Sequence, residues 1–468
     1  MERQKRVAYQ LDFFDAKAID HAANGEGGTV AGAREVSQLS PVTNEPRALV
    51  SFLMERIASP TNLCAALKRV RSNKGAPGVD GMSVGELKQW FGDHWESLRD
   101  ELVAGRYLPS AVLSCAIPKP GGGTRQLGIP TAKDRLIQQA ILQILDPLVD
   151  PTFSDSSFGF RRGRGAHMAL AQARRYVSEG RTIVVDMDLE KFFDRVNHDI
   201  LMSRLARRFD DRRLLRLIRQ FLESGMMVEG LDVKRAMGTP QGGPLSPLLS
   251  NILLDDLDKE LERRGHSFCR YADDCNIYVR SRKAGERVLS SVTRFLEEEL
   301  KLKVNRDKSA VGFIEERKFL GYRLRRGGRL GVAGKSYARA KDRIREITRR
   351  NRGHVRLKTM IEELNNFLRG WTTYFRLADC QSLVRSLGEW IRRKLRCVIL
   401  KRLKRSHTTA RWLSQRGIPE WRAWLIALSG KGWWRKAKSP QANEAMNKVW
   451  FEEQGLIDPL ERYMELQN

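Results

Sequence analysis

The sequence predicts an α+β chain, mixed in its first two thirds and helical after about residue 330, and three observations carry this. Short β-branched and aromatic runs at 182–185, 268–271 and 276–279 have strand length and are bounded by turn formers. Between them lie longer stretches with apolar residues at helical spacing, such as Leu136, Ile137, Ala140, Ile141, Ile144 and Leu145 within 132–149. Past Leu330 the strand signals stop and three amphipathic patterns follow one another. A chain of 468 residues can bury a large core and is expected to hold two or three domains.

Taken in order, residues 1–47 are rich in Gly, Ala, Ser and Asn and read as a loose extension. Helical order opens with Leu49, Phe52 and Ile57. The stretch 71–82 (RSNKGAPGVDGM) is dense in turn formers and reads as a loop, and 117–125 (IPKPGGGTR) as a hairpin with a glycine turn. The strand at 182–185 runs into Asp186-Met-Asp-Leu-Glu-Lys-Phe-Phe-Asp194, so Asp186 and Asp188 are expected at its end. Helices are expected over 198–224. The segment 238–247 (GTPQGGPLSP), with three prolines and three glycines, breaks the chain before a helix at 248–264. Strands at 268–271 and 276–279 flank a tight acidic turn. Helices at 337–350, 357–375 and 383–405 follow, the second with Leu357, Met360, Ile361, Leu364, Phe367, Leu368 and Trp371 on one stripe. The tail is Trp-rich. Trp421 and Trp424, spaced helically with Leu425 and Leu428, read as a small core, while Trp433 and Trp434 stay open.

Charge narrows the partners. Lys and Arg number 84 against 56 Asp and Glu, a formal net of +28. Such a surface calls for a polyanion. Between residues 391 and 440 there are fifteen basic residues and one acid, Glu420, whereas residues 1–50 carry six basic and seven acidic ones. Nucleic acid is therefore the expected partner. A membrane is not expected, because there is neither an apolar run of about 18 residues nor an amphipathic anchor. The first twenty residues lack the apolar core of a signal peptide. The cysteines at 64, 115, 269, 275, 380 and 397 form no CxxC pair and read as core thiols of a reducing cytoplasm.

The chemistry centres on carboxylates. In Tyr271-Ala-Asp-Asp274 two aspartates sit side by side at a hairpin tip, where they repel unless a hard cation such as Mg²⁺ offsets the charge. Asp186 and Asp188 reach the end of a buried strand from a distant part of the chain. Phosphoryl transfer to a growing chain uses two metals about 4 Å apart, and carboxylates from separate segments could hold them. Lys119 and Arg125 flank the 121–123 glycine turn and suit a triphosphate. No GxxxxGK[ST] loop surrounds them, and HRD and DFG are absent, so P-loop and kinase readings fail.

Eight blocks in order then carry a resemblance: 73–81 (NKGAPGVDG), 117–130 (IPKPGGGTRQLGIP), 157–161 (SFGFR), 186–194, 238–247, 271–274, 302–309 (LKVNRDKS) and 319–322 (FLGY). From about residue 48 onward the chain resembles bacterial group II intron reverse transcriptases, most closely the compact class C. The resemblance implies right-hand polymerase fingers and palm over 48–330 with an antiparallel palm sheet. An α-helical thumb (the maturase domain, domain X) would span 335–405, and a small basic DNA-binding region 406–468. It implies catalytic Asp188, Asp273 and Asp274, joined by the Leu189 carbonyl as ligands of two Mg²⁺. Asp188 rather than Asp186 is chosen because the family's sugar-side aromatic follows the catalytic aspartate by five residues, landing on Phe193. Lys119, Arg125, Phe193 and Gln241 are implied as deoxynucleotide contacts, Phe319, Leu320, Gly321 and Tyr322 as the primer grip, and 73–82 as a template-clasping loop.

The same resemblance implies RNA template, DNA primer, deoxynucleoside triphosphates, intron RNA and target DNA as partners, with splicing and retrohoming by target-primed synthesis as roles, at the bacterial nucleoid. The helix cations at Arg345, Arg349, Arg350, Arg352, Arg392, Arg393, Lys394 and Arg396 read as an RNA-backbone surface. No paired cysteines follow His354 and His407, so an HNH nuclease is not expected. The competing readings are a splicing-only maturase and a domesticated reverse transcriptase of repair or phage defence.

Overall fold

The structure is a computed structural model that describes residues 52–118, 123–228, 231–233, 237–239, 242–349 and 355–467. The expected loose extension at 1–47 lies outside the described residues. The chain divides into two compact units after Phe313.

In the first unit helices α1 (Leu53–Ile57), α2 (Pro60–Ser72) and α3 (Leu87–Val103) precede a hairpin of β1 (Val112–Pro118) and β2 (Thr124–Ile129). Ser59 begins α2 with its side chain accepting the Asn62 N–H and Pro60 in the first turn, a good helix start. The 117–125 hairpin is present, its turn residues 119–122 outside the described set. Short strands β4 (Met226–Val228) and β5 (Leu231–Val233) extend this sheet in the order β2-β1-β4-β5, with β4 parallel to β1. Helix α4 (Ala132–Val149) keeps its expected bounds.

The second sheet has the order β6-β7-β3-β8 and is antiparallel throughout, from β3 (Ile183–Met187), β6 (Ser267–Tyr271), β7 (Asp274–Val279) and β8 (Ala310–Phe313). This is the expected antiparallel palm sheet of an α+β fold. Strand β3 runs two residues beyond its expected end, so Asp186 lies inside it, paired to Asn276 and Ala310. Backbone pairing on both sides overrides the poor strand propensity of aspartate. Helix α5 (Ala166–Ser178) packs on β6, and α10 (Arg282–Glu298) on β3, β7 and β8. Between β3 and β6 the chain forms α6 (Phe192–Arg195), α7 (His198–Ala206), α8 (Arg212–Glu223) and α9 (Ser246–Arg263). One buried apolar cluster runs from Leu53 to Val304 through these elements.

The second unit opens with a hairpin of β9 (Tyr322–Leu324) and β10 (Leu330–Val332). Helices α11 (Gly334–Ile347), α12 (Leu357–Tyr374) and α13 (Gln381–Arg402) correspond to the three expected after residue 335, displaced by at most three residues. Six short helices complete it: α14 (Ser406–Ser414), α15 (Glu420–Leu428), α16 (Trp433–Lys436), α17 (Pro440–Ala445), α18 (Lys448–Glu453) and α19 (Pro459–Glu465).

Two expectations need correction. Trp421, Leu425 and Leu428 are 68, 60 and 68 % exposed, and Trp424 is half-buried. Helix α15 instead buries Ala423, Ile426 and Ala427, because small residues let it lie close to its neighbours. Nor are all cysteines core residues: Cys64 is exposed on α2 and Cys115 half-buried, while the other four are buried.

Candidate active site

The site is built at one end of the antiparallel sheet. The β3–β7 register pairs Met187 with Cys275, and β6 and β7 close with Tyr271 opposite Asp274. Only Ala272 and Asp273 form the turn, with Ala272 left-handed at φ 57° as a two-residue hairpin loop requires. Asp274 is therefore the first residue of β7, not part of the tip. Asp188 follows Met187 and Asp274 precedes Cys275, so both stand one residue beyond the last pair of the β3–β7 ladder, at the same end of the sheet. Carboxylates 85 and 86 positions apart in sequence thus reach one end of one sheet.

Asp188 is fixed from the segment before β8. Its N–H donates to Ser309 Oγ (3.0 Å), and its carbonyl accepts from Asn305 N–H (2.8 Å) and Ser309 Oγ (3.2 Å). Leu189 forms a bridge with Val304. Lys308 Nζ stands 3.2 Å from Asp188 Oδ1 and 3.4 Å from Oδ2, an ammonium on the carboxylate.

The hairpin is held from below by Arg270. This guanidinium is fully buried and donates Nε to Asp258 Oδ1 (2.7 Å), Nη2 to Asp258 Oδ2 (2.5 Å) and to Ser157 Oγ (2.7 Å), and Nη1 to Asn251 Oδ1 (3.0 Å) and the Ala272 carbonyl (2.9 Å). Burial works to lower its pKa, but Asp258 outweighs that and holds it above the ordinary arginine value. The 156–158 segment pairs with Arg270 through Arg270 N–H to the Ser156 carbonyl and Phe158 N–H to the Arg270 carbonyl, both 2.9 Å. A Cβ on Gly159 would stand 2.2 Å from Ala272 N, so only glycine lets this segment lie against the turn.

The other expected residues are placed as follows. Phe193 is half-buried on α6, edge-on to Phe192 at 5.2 Å between ring centroids. Lys119 and Gln241 lie outside the described residues; Arg125 is described in its backbone alone, at the β2 position paired with Ile117. Phe319 and Tyr322 belong to the second unit, where their rings are fully buried and a Leu320–Gly321 turn, left-handed at φ 51° and 79°, joins them. The Leu320 carbonyl accepts from Tyr374 Oη (2.7 Å) and the Gly321 carbonyl from Ser336 Oγ (3.0 Å). What this motif presents is backbone, since its aromatics are core.

Two further groups carry charge in the second unit. Trp390 has Lys341, Arg345 and Lys394 within 5.6, 5.6 and 5.4 Å of its ring centroid, and Trp434 has Arg393 at 3.9 Å. Sequence spacing alone does not bring Lys341 and Lys394 to one indole, because they sit on different helices. Glu452, Asp458 and Glu461 are the one acidic group among the described residues whose oxygen atoms all fall within 4.8 Å. Lys448 Nζ already stands among them at 3.5, 3.3 and 2.5 Å, which answers their charge without an ion. Asp188, Asp273 and Asp274 do not form a group that tight.

Residues 117–324 match the family described as reverse transcriptase (RNA-dependent DNA polymerase), and residues 337–417 the group II intron maturase-specific domain. Protein YkfC of Escherichia coli is 34% identical over 325 residues, covering 60% of this chain and 84% of that protein. The group II intron-encoded protein LtrA of Lactococcus lactis is 29% identical over 358 residues, covering 60% of this chain and 58% of LtrA. The chain therefore spans somewhat over half the length of that relative. Among solved structures, apo telomerase of Candida tropicalis is 12% identical with a TM-score of 0.43, over 77% of this chain and 69% of that one.

Proposed function

We propose, from the premise that the chain belongs to the group II intron reverse transcriptase and maturase family and is an RNA-directed DNA polymerase, that Asp188, Asp273 and Asp274 form its catalytic centre. The observation that carries this is the strand register, which brings Asp188 and Asp274 to the same end of the sheet, one residue beyond the Met187–Cys275 pair. The donor set is all hard oxygen, which fits Mg²⁺, and Lys308 on Asp188 marks the place as one that holds positive charge. The three carboxylates and the Leu189 carbonyl would hold two ions, which when bound lower the pKa of a primer 3′-hydroxyl and neutralise the departing pyrophosphate.

The protein's own part is to orient. Arg270 fixes the turn bearing Asp273, and Ser309 fixes the backbone of Asp188. Phe193 would lie against the sugar, where a 2′-hydroxyl collides with the ring, so deoxynucleotides are chosen by shape. Lys119, Arg125 and Gln241 would contact the incoming nucleotide, and the Leu320–Gly321 backbone the primer. The cations around Trp390 and Trp434 would bind phosphates of RNA. Intron RNA, an RNA template, a DNA primer and target DNA are the partners of this reading, and splicing assistance with retrohoming its role. The second reading is a domesticated reverse transcriptase of repair or phage defence; the chain is also 28% identical over 275 residues to the retron Mx65 reverse transcriptase of Myxococcus xanthus.

The test is primer extension on an RNA template with Asp273→Ala and Asp274→Ala. Synthesis is expected to drop about a thousandfold or more, as befits loss of metal ligands. RNA binding and splicing should persist. Undiminished synthesis would falsify the site, and synthesis that survives chelation would sink the metal reading.

A further inference from the structure

The segment 238–239 is stitched to the turn that carries Phe193. Thr239 N–H donates to the Phe193 carbonyl (2.6 Å) and Gly238 N–H to the Val196 carbonyl (2.8 Å). His198 Nε2 lies 2.7 Å from the Gly238 carbonyl. A carbonyl can only accept, so Nε2 carries the proton. The ring is buried and comes from the first turn of α7, whose cap is closed by Asn197 Oδ1 accepting Ile200 N–H at 3.0 Å. Gly238 has φ 94°, and a Cβ there would stand 3.0 Å from the backbone of Asp194. The two segments are therefore in backbone contact, with His198 the side chain that clamps them.

We propose that His198 is a positioning residue for sugar selection: by holding Gly238, and through it Thr239 on the Phe193 carbonyl, it sets the height of the Phe193 ring. This rests on the reading of Phe193 as the sugar-side aromatic. Exclusion of a 2′-hydroxyl by a ring is a contact repulsion, steep over a few tenths of an ångström, so a small backbone shift at Phe193 changes discrimination more than it changes deoxynucleotide use. His198 is buried, so in this reading it acts through the Gly238 backbone. A role in stability alone would alter activity toward both sugars equally.

The experiment is single-nucleotide extension by the full chain on an RNA template, with a deoxynucleotide and its ribonucleotide counterpart compared by kcat/KM. His198→Ala is expected to lower the deoxy-to-ribo ratio about tenfold, the scale of one buried hydrogen bond lost, chiefly through a lower KM for the ribonucleotide. His198→Gln, which can present an N–H near the Nε2 position, should restore most of the ratio. His198→Asn, polar but too short to reach Gly238, should not, and it carries the test if the alanine variant fails to fold. Phe193→Ala separates the two ideas. If it lowers the ratio while both His198→Ala and His198→Asn leave it at the wild-type value, the inference is overturned and the Phe193 reading stands. If Phe193→Ala leaves the ratio unchanged, the sugar-side reading itself fails.

Discussion

Arg270 grips Asp258 by two parallel hydrogen bonds, with neither side chain reaching solvent, and spends a third nitrogen on the carbonyl of Ala272 in the aspartate turn. A buried pair of this kind adds little net stability over an apolar replacement, yet breaking it strands a charge. Arg270→Ala should therefore destabilise the protein by about 3–5 kcal/mol in denaturant melts. The double change Arg270→Met with Asp258→Leu should recover much of that loss. Polymerase activity should not recover with it, because Ala272 still lacks its donor. Recovery of both together would show that the pair serves folding alone.

Lys308 and Asp188 form a pair with side chains 65 and 39 % exposed, and such pairs are worth less than about 1 kcal/mol. Lys308→Ala should leave the melting temperature within the scatter of wild type. It should also tighten Mg²⁺ binding about threefold, since a competing cation is removed from one ligand. Weaker Mg²⁺ binding in a direct titration would contradict this.

Three cations around Trp390 imply a specific salt law. Replacing Lys341, Arg345 and Lys394 together by Gln should flatten the slope of log affinity against log salt by about 2 to 3 for RNA. Filter binding between low and high salt measures it. An unchanged slope would mean that these side chains face no phosphate.

Arg213 ties three elements, donating to Glu55 Oε1 (2.7 Å), to Asp211 Oδ2 (3.2 Å) and to the Val103 carbonyl (3.1 Å). Its hydrogen bond holds the Glu55 carboxyl below the ordinary carboxylate range. Burial alone would raise Asp211, but Arg213 and the backbone donors of Met54 and Leu214 bring it below that range as well. Carboxyls with depressed folded pKa values stabilise the fold above their unfolded value, near 4, and lose that contribution as pH falls through the folded one. Wild type should lose stability as pH falls below about 4. Arg213→Leu should be less stable at pH 7 and show a shallower acid limb in the same melts. An identical acid limb would remove Arg213 from the explanation.

How far the sequence showed all this depends on the kind of interaction. Helix α4 was legible to the residue, because Thr131 caps it and its apolar positions keep one period. Strand β3 was legible as a strand but not in extent, since Asp186 is extended by its neighbours and not by its own preference. The sequence singled out the three aspartates by their ordered blocks but not Arg270: an arginine in a strand reads as a surface residue until Asp258, twelve positions earlier, is seen beside it. His198 was hidden for the same reason, its partner lying forty residues on. Helix α15 misled because period alone cannot say which of two apolar faces, Trp421–Leu425–Leu428 or Ala423–Ile426–Ala427, turns inward.

The pairing of Arg270 with the 156–158 segment also has a consequence for solubility. Strand β6 is the outermost strand of its sheet, and an open outer strand is a template on which another polypeptide can add itself. Residues 156–158 lie along it and take up the N–H and the carbonyl of Arg270. The loop that steadies the aspartate turn thus also blunts a sticky border, and loosening it should make the protein prone to self-association as well as slow.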